Sequence, residues 1–509
     1  MDMLGFLAIG FAEALTPMNI GLALIGCFIG TIVGALPGLG PVNGVAILIP
    51  LAFSLALPPG SALILLSCVY YGCMYGGRIS SIMLNIPGDE PAMMTCLDGY
   101  PMAQQGKAPE ALAISGIASF VGAVTATIGL MLFAPMLVQV AIHFGPAEYF
   151  ALYMLAFVTI GGITGANPAK SLLAAGLGLA LACVGSDPQS GVPRFTFGNL
   201  HLFDGFHPIV AIVGLFAISE VLLLLEQGAG ERKGAIAVNR AFARWSDIRP
   251  TFGAMARGSG MGFFAGVLPG AGASLGSFLA YTVEKRVSDR GSFGKGDPRG
   301  VAAPEAGNNA AAGGALVPML ALGVPGSGTT AVLLALLISL NITPGPLLFQ
   351  EQPEIVWGLI ASLFMANVFL LALNLPLVGV FTRMLSIPLW ALMPFVVMLS
   401  FVGVYSISHA PFDLLVMVAF GVLGFVLRKL DISVVPVVLG LLLGAEMEAN
   451  LRRALSISGG DPSILVSSGI TIGLYIACAV FLVVAVWMGV RQHRAGRSVS
   501  HHPEEYVGD

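Results

Sequence analysis

Glu305, Asn308 and Asn309 place one carboxylate and two side-chain amides within a single helical turn. Their i, i+3 and i+4 spacing sets them on one helix face, and such a set of hard oxygens is what a Na+ site uses. The plainer role is a helix start with exposed amides. Ser327, Thr329 and Thr330 follow Pro325-Gly326 and precede an apolar run. Hydroxyls and free amides there can bind a carboxylate, although Ser and Thr at that place also serve as ordinary helix caps. Asn85, Asp89, Thr95 and Asp98 flank Pro87-Gly88. Asp89 and Glu90 repel an anion, so they fit a gate, a cap or a cation site, with a solvated loop carboxylate as the alternative. The anion-binding set is thus Pro37, Gly38, Asn43, Asn85, Pro87, Gly88, Thr95, Pro269, Gly270, Ser274, Pro325, Gly326, Ser327, Thr329 and Thr330. The cation set is Glu305, Asn308, Asn309 and Asp89.

Other chemistries find little support. The seven histidines show no metal-binding spacing, and His501-His502 reads as a surface pair in the tail. The six cysteines form no CxxC pair, so no disulfide or zinc framework is expected. No cofactor is implied beyond a possible coupling Na+. A net charge of -4 excludes the basic footprint of a nucleic-acid binder.

The elements that must position these residues are membrane helices. Of 509 residues, 56% are hydrophobic and 10% charged, against roughly 25% charged in soluble domains. Apolar stretches of membrane-spanning length recur from Ile20 to Val490. The expected fold is all-α and polytopic, with about 10–12 transmembrane helices, some broken or re-entrant. The N-terminus lacks a cleavable signal pattern, so the first span is expected to remain. Glu220 sits in an otherwise uncharged run, 210–225, and intramembrane carboxylates are functional candidates by default. Its closeness to a polar linker favours a hydrogen-bonded or interfacial carboxylate.

The 66 glycines are not scattered at random. Gly34-Ala35-Leu36-Pro37-Gly38-Leu39-Gly40 with Gly44 matches Gly266-Val267-Leu268-Pro269-Gly270-Ala271-Gly272 with Gly276 at a constant offset of 232. Ile86-Pro87-Gly88 matches Val324-Pro325-Gly326 at offset 238. The chain therefore divides into two repeats, 1–230 and 258–490, joined by a basic linker, 231–257, and ending in a polar tail, 491–509. Proline and glycine break helices and free backbone groups, which the membrane tolerates only around an enclosed wet cavity. Paired breaks in corresponding positions of two halves are the pattern of a secondary transporter. Close GxxxG-type packing is the competing explanation for the same glycines.

Basic residues crowd 232–257 and 285–299, which places both segments in the cytoplasm by the positive-inside rule. The apolar stretch between them, 259–282, must then enter and leave on one side as a hairpin. The N-terminus, Met1 to Asn19, carries no Lys or Arg and is expected outside, so the repeats are expected to be inverted.

These motifs resemble the large membrane subunit of the tripartite tricarboxylate transporters, the TctA family, from about Gly21 to Glu448. The carrying residues include Gly30 to Gly40, Tyr75-Gly76-Gly77, Leu97-Asp98-Gly99-Tyr100-Pro101-Met102-Ala103, Pro304-Glu305-Ala306-Gly307-Asn308-Asn309-Ala310 and Gly323-Val324-Pro325-Gly326-Ser327-Gly328-Thr329-Thr330. The resemblance implies a multi-pass protein of a bacterial inner membrane, importing tricarboxylates such as citrate, or related organic carboxylates, on a Na+ or H+ gradient. It also implies two partners, a small membrane subunit and a periplasmic solute-binding protein. The competing classes are a membrane-embedded enzyme and a passive anion channel; sparse nucleophile and base groupings argue against the enzyme. Replacing both Thr329 and Thr330 by Val is expected to abolish uptake without loss of expression.

Overall fold

The computed structural model describes residues 3–163, 168–187, 189–227, 238, 240–270, 272–385 and 393–499. Arg232 and Lys233 of the basic linker, Ala271 of the second Leu-Pro-Gly turn and the His501-His502 pair lie outside them. Among the described residues the chain is almost wholly helical, with one short antiparallel pair of strands, Gly185–Ser186 and Pro193–Arg194.

The helices that build the site fall into two series. The first is α1 (Pro17–Ala35), α2 (Gly40–Ser54), α3 (Pro59–Leu84), α4 (Met93–Gln104), α5 (Ala108–Ala141) and α6 (Pro208–Glu226). The second is α7 (Phe252–Val267), α8 (Gly272–Ser288), α9 (Pro298–Gly314), α10 (Leu316–Leu322), α11 (Gly328–Ser339), α12 (Pro353–Asn374) and α13 (Pro411–Lys429). α1, α3, α5, α6, α12 and α13 are long and apolar enough to cross a membrane. Each begins with proline at its first or second position, where the missing N–H costs nothing. The apolar helices Gly40–Ser54 and Gly328–Ser339 have only 15 and 12 residues, short of the ~20 that a straight crossing needs. The expected 10–12 spans therefore resolve into full crossings and part-length pieces.

Both halves are built on one packing rule. Along α1, a Cβ on Gly26, Gly30 or Gly34 would lie 2.6, 2.4 or 2.1 Å from the backbone oxygens of Leu65, Val69 and Cys73 on α3. Along α7, a Cβ on Gly258, Gly262 or Gly266 would lie 2.3, 2.0 or 2.2 Å from those of Ala303, Gly307 and Ala311 on α9. The offsets are the same 232 and 238 as in the sequence, so the two helix pairs repeat residue for residue. Small residues let the backbones touch, which is how helices gain packing energy where lipid offers no hydrophobic drive.

The halves also interlock. α5 packs on α7 and α9, while α12 packs reciprocally on α1 and α3. α3 is buried along its whole apolar window, which explains how it carries Ser67, Tyr70, Tyr71, Tyr75 and Arg78 away from lipid. α7 and α8 meet at the second Leu-Pro-Gly turn and pack on one another, with the Gly276 Cβ position 3.2 Å from the Gly262 Cα. This is the hairpin of short helices expected for 259–282.

Candidate functional site

Each half folds its two breaks onto each other. α1 stops at Ala35 because Pro37 follows and Gly38 and Gly40 take φ values of 89° and 63°, open to glycine but strained for other residues. The Gly38 N–H then donates to the Gly88 carbonyl at 3.3 Å. In the second half Gly270 and Gly272 take 75° and 63°, and the Gly270 N–H donates to the Gly326 carbonyl at 3.1 Å. The helices leading into the second breaks end alike, on left-handed Asn85 and Gly323.

All four breaks converge around one cavity of about 740 Å³. Of the predicted residues, Gly38, Asn43, Pro87, Gly88, Asp89, Ser274, Ser327 and Thr329 line it. Two smaller cavities, about 500 and 410 Å³, hold none of them. Pro37, Pro269, Gly270, Pro325 and Gly326 belong to the turns but are not among the larger cavity's lining residues. Asn85 is an exposed cap, and Thr95 is buried elsewhere. The cavity thus gathers residues from both halves, with Ser274 Oγ donating to Glu90 Oε2 across them at 3.2 Å and Ser277 Oγ donating to the Pro91 carbonyl at 2.8 Å.

Ser327 and Thr330 form a reciprocal cap on α11. The Ser327 N–H donates to Thr330 Oγ1 at 2.8 Å, and the Thr330 N–H reaches Ser327 Oγ at 3.3 Å. Thr330 is fully buried, so its hydroxyl serves the helix, whereas Thr329 faces the cavity. The expected joint role of the pair therefore divides. Thr330→Val is expected to cost about 1 kcal/mol of stability through the lost cap, read as a lower unfolding temperature. Thr329→Val is expected to leave that temperature unchanged and raise the substrate KM about tenfold, the worth of one lost hydrogen bond.

Asp89 also caps: its Oδ1 accepts from the Ala92 N–H at 3.0 Å, while its buried Oδ2 has no partner. Asp98 is wholly structural. Its Oδ1 accepts the N–H groups of Gly294, Gly296 and Asp297 at 2.8, 3.0 and 2.8 Å, tying the first half to the loop between α8 and α9.

Glu305, Asn308 and Asn309 share a buried stretch of α9, none more than 1% exposed, so they are not the exposed amides of a helix start. Glu305 Oε1 accepts from Thr95 Oγ1 at 2.5 Å, and its Oε2 lies 3.0 Å from Ser119 Oγ. Asn309 donates to the Glu305 carbonyl at 3.1 Å, and neither polar side-chain atom of Asn308 has a partner. This cluster lies outside the lining of the cavity.

One wall feature escaped the sequence. Arg428, in the last turn of α13, is the only cation among the described residues lining the cavity, which also carries Asp89, Glu90 and Asp431. It pairs with Glu220 of α6, and Asn43 holds both: Nδ2 donates to Glu220 Oε2 at 3.1 Å while Oδ1 accepts from Arg428 at 3.2 Å. Glu220 is thus the hydrogen-bonded carboxylate that the sequence favoured, but placed against the cavity.

The family model described as the tripartite tricarboxylate transporter TctA family matches residues 20–439. An uncharacterized 52.8 kDa protein in the TAR-I ttuC' 3' region of Agrobacterium vitis is 39% identical over 97% of this chain and 98% of its own length. A second uncharacterized protein, in the TAR-II ttuC' 3' region of the same organism, is 41% identical over 46% of this chain and 97% of its own length. No solved structure matches the chain.

Proposed function

Because the chain belongs to the tripartite tricarboxylate transporter TctA family, a family of multi-pass transporters, we propose that it is the large permease subunit of a three-part uptake system in a bacterial inner membrane. Its substrate is an organic di- or tricarboxylate, delivered by a periplasmic solute-binding protein and carried with Na+ or H+, alongside a small membrane subunit. The observation that carries this proposal is the cavity where the breaks of both repeats meet. Half-helix starts and free amides there favour an anion, and a site between two inverted repeats is suited to alternating access.

The cavity's carboxylates support cation coupling. Two like charges about 6 Å apart repel by about 3 kcal/mol at an effective dielectric of ~20, so an anion enters beside Asp89 and Glu90 more readily with a cation or proton. Asp89, with its unpartnered Oδ2, is the coupling candidate at the cavity, and Glu305 with Asn308 and Asn309 is the candidate in the buried interface.

The test is uptake of labelled citrate, malate and tartrate into vesicles supplied with the binding protein and small subunit. Accumulation above the outside concentration, lost when the Na+ and H+ gradients are collapsed, is expected. Equilibration without accumulation would indicate a channel, and chemical conversion of the label an enzyme.

A further inference from the structure

The cavity presents a contradiction: it is suited to an anion at its helix starts, yet among the described residues its charged wall residues are Asp89, Glu90, Asp431 and a single guanidinium. That guanidinium is already engaged by Glu220, which is only 8% exposed. Arg428 itself is partly open, its side chain 21% accessible, and its guanidinium lies over the Phe216 ring, 6.0 Å from the centroid. The geometry is that of a carboxylate site filled by the protein's own carboxylate. Resting on the carboxylate cavity proposed above, we propose that Arg428 anchors a carboxylate of the substrate, and that Glu220 is its resident counter-ion, displaced on binding and protonated as it is released.

Guanidinium binds carboxylates in a fork of parallel hydrogen bonds, and Arg428 is the only described wall residue able to offer one. Glu220 competes for that fork through Oε2, and Asn43 bridges the two so that the pair is held at the wall. A carboxylate as buried as Glu220 is stable when ionised only while a cation faces it. Among the described residues no second cation is recorded against Glu220. α2 carries no ionisable residue, and the helix Met393–Ser408, which also packs on α6, carries no Asp, Glu, Lys, Arg or His. On α13, Asp413 lies about four turns from Arg428, and Lys429 is engaged by Glu226. A displaced Glu220 therefore takes one proton from water, and each bound substrate brings one H+ into the site. A π-helical turn, Val213–Ile218, ends two residues before Glu220, and such turns are frequent at functional sites.

The test uses the full-length purified protein. Citrate, malate and tartrate are screened for stabilisation against heat, and the strongest becomes the probe for calorimetry in buffers of different ionisation enthalpy. Wild type is expected to take up close to one proton per bound probe. Glu220→Gln is expected to bind the probe several-fold more tightly, because the competitor is gone, and to take up none. A purely structural role for Glu220 predicts weaker binding instead. Arg428→Gln combined with Glu220→Gln keeps the site neutral and is expected to fold but bind at least tenfold more weakly than Glu220→Gln alone. Unchanged proton uptake in Glu220→Gln, or undiminished binding in the double variant, would overturn this proposal while leaving the cavity's role intact. Failure of all three acids to stabilise wild type would remove both.

Discussion

Gly262→Val is expected to leave almost no folded protein in the membrane, whereas Gly260→Val in the same helix should be nearly silent. At Gly262 a Cβ would stand 2.0 Å from the Gly307 carbonyl oxygen, 2.6 Å from its carbon and 2.6 Å from its Cα. No rotamer relieves a clash with backbone, so α7 and α9 must separate. At Gly260 nothing lies within 4 Å. Overpacking a core typically costs 1–3 kcal/mol; forcing two backbones apart along a shared stripe is expected to exceed this, at about 4 kcal/mol or more. The first half supplies an independent copy, since Gly30 meets Val69 as Gly262 meets Gly307. Fluorescence-detected size exclusion of tagged variants gives the measurement. Comparable yields of the 260 and 262 variants would show that the close approach contributes little to stability.

The same stripe shows what sequence spacing can and cannot say. The repeated Leu-Pro-Gly turns were legible because proline and glycine dictate local backbone geometry wherever they stand. Packing and turn-making were rival explanations of one glycine run, and the structure assigns each to different members. Gly34 presses on Cys73, while Gly38 has open space around it and a φ of 89°. The spacing alone does not separate them, because both uses require only the absence of a side chain. Arg428 was hidden for a different reason. It is 208 residues from Glu220 and stands in the last turn of α13, where a basic residue is ordinary. Thr95 was grouped by its nearness to Pro87-Gly88, but α4 turns it towards Glu305 instead.

Glu305 and Arg78 are both fully buried and are held one turn apart on α5. Arg78 donates to Ser115 Oγ at 2.9 Å, to the Leu112 carbonyl at 2.6 Å and to Asn374 Oδ1 at 3.1 Å; Ser119 contacts Glu305. Among the described residues no direct ion pair joins them, yet each offsets the charge of the other. Removing either alone, by Arg78→Met or Glu305→Met, is expected to cost about 3–5 kcal/mol, as when a buried pair loses one member. Removing both should recover most of that loss, because apolar residues of similar volume replace two charges. The positive coupling is measured as a double-mutant cycle on unfolding in detergent. Additive losses would mean the two charges do not sense each other. The recovered double variant then separates the two roles open to Glu305. If the carboxylate only locks the halves, the folded double variant should accumulate substrate at the wild-type level. If it also carries the coupling ion, that variant should exchange substrate across the membrane but no longer concentrate it, and the second outcome is the one expected from an intramembrane carboxylate beside the unpartnered Asn308 amide.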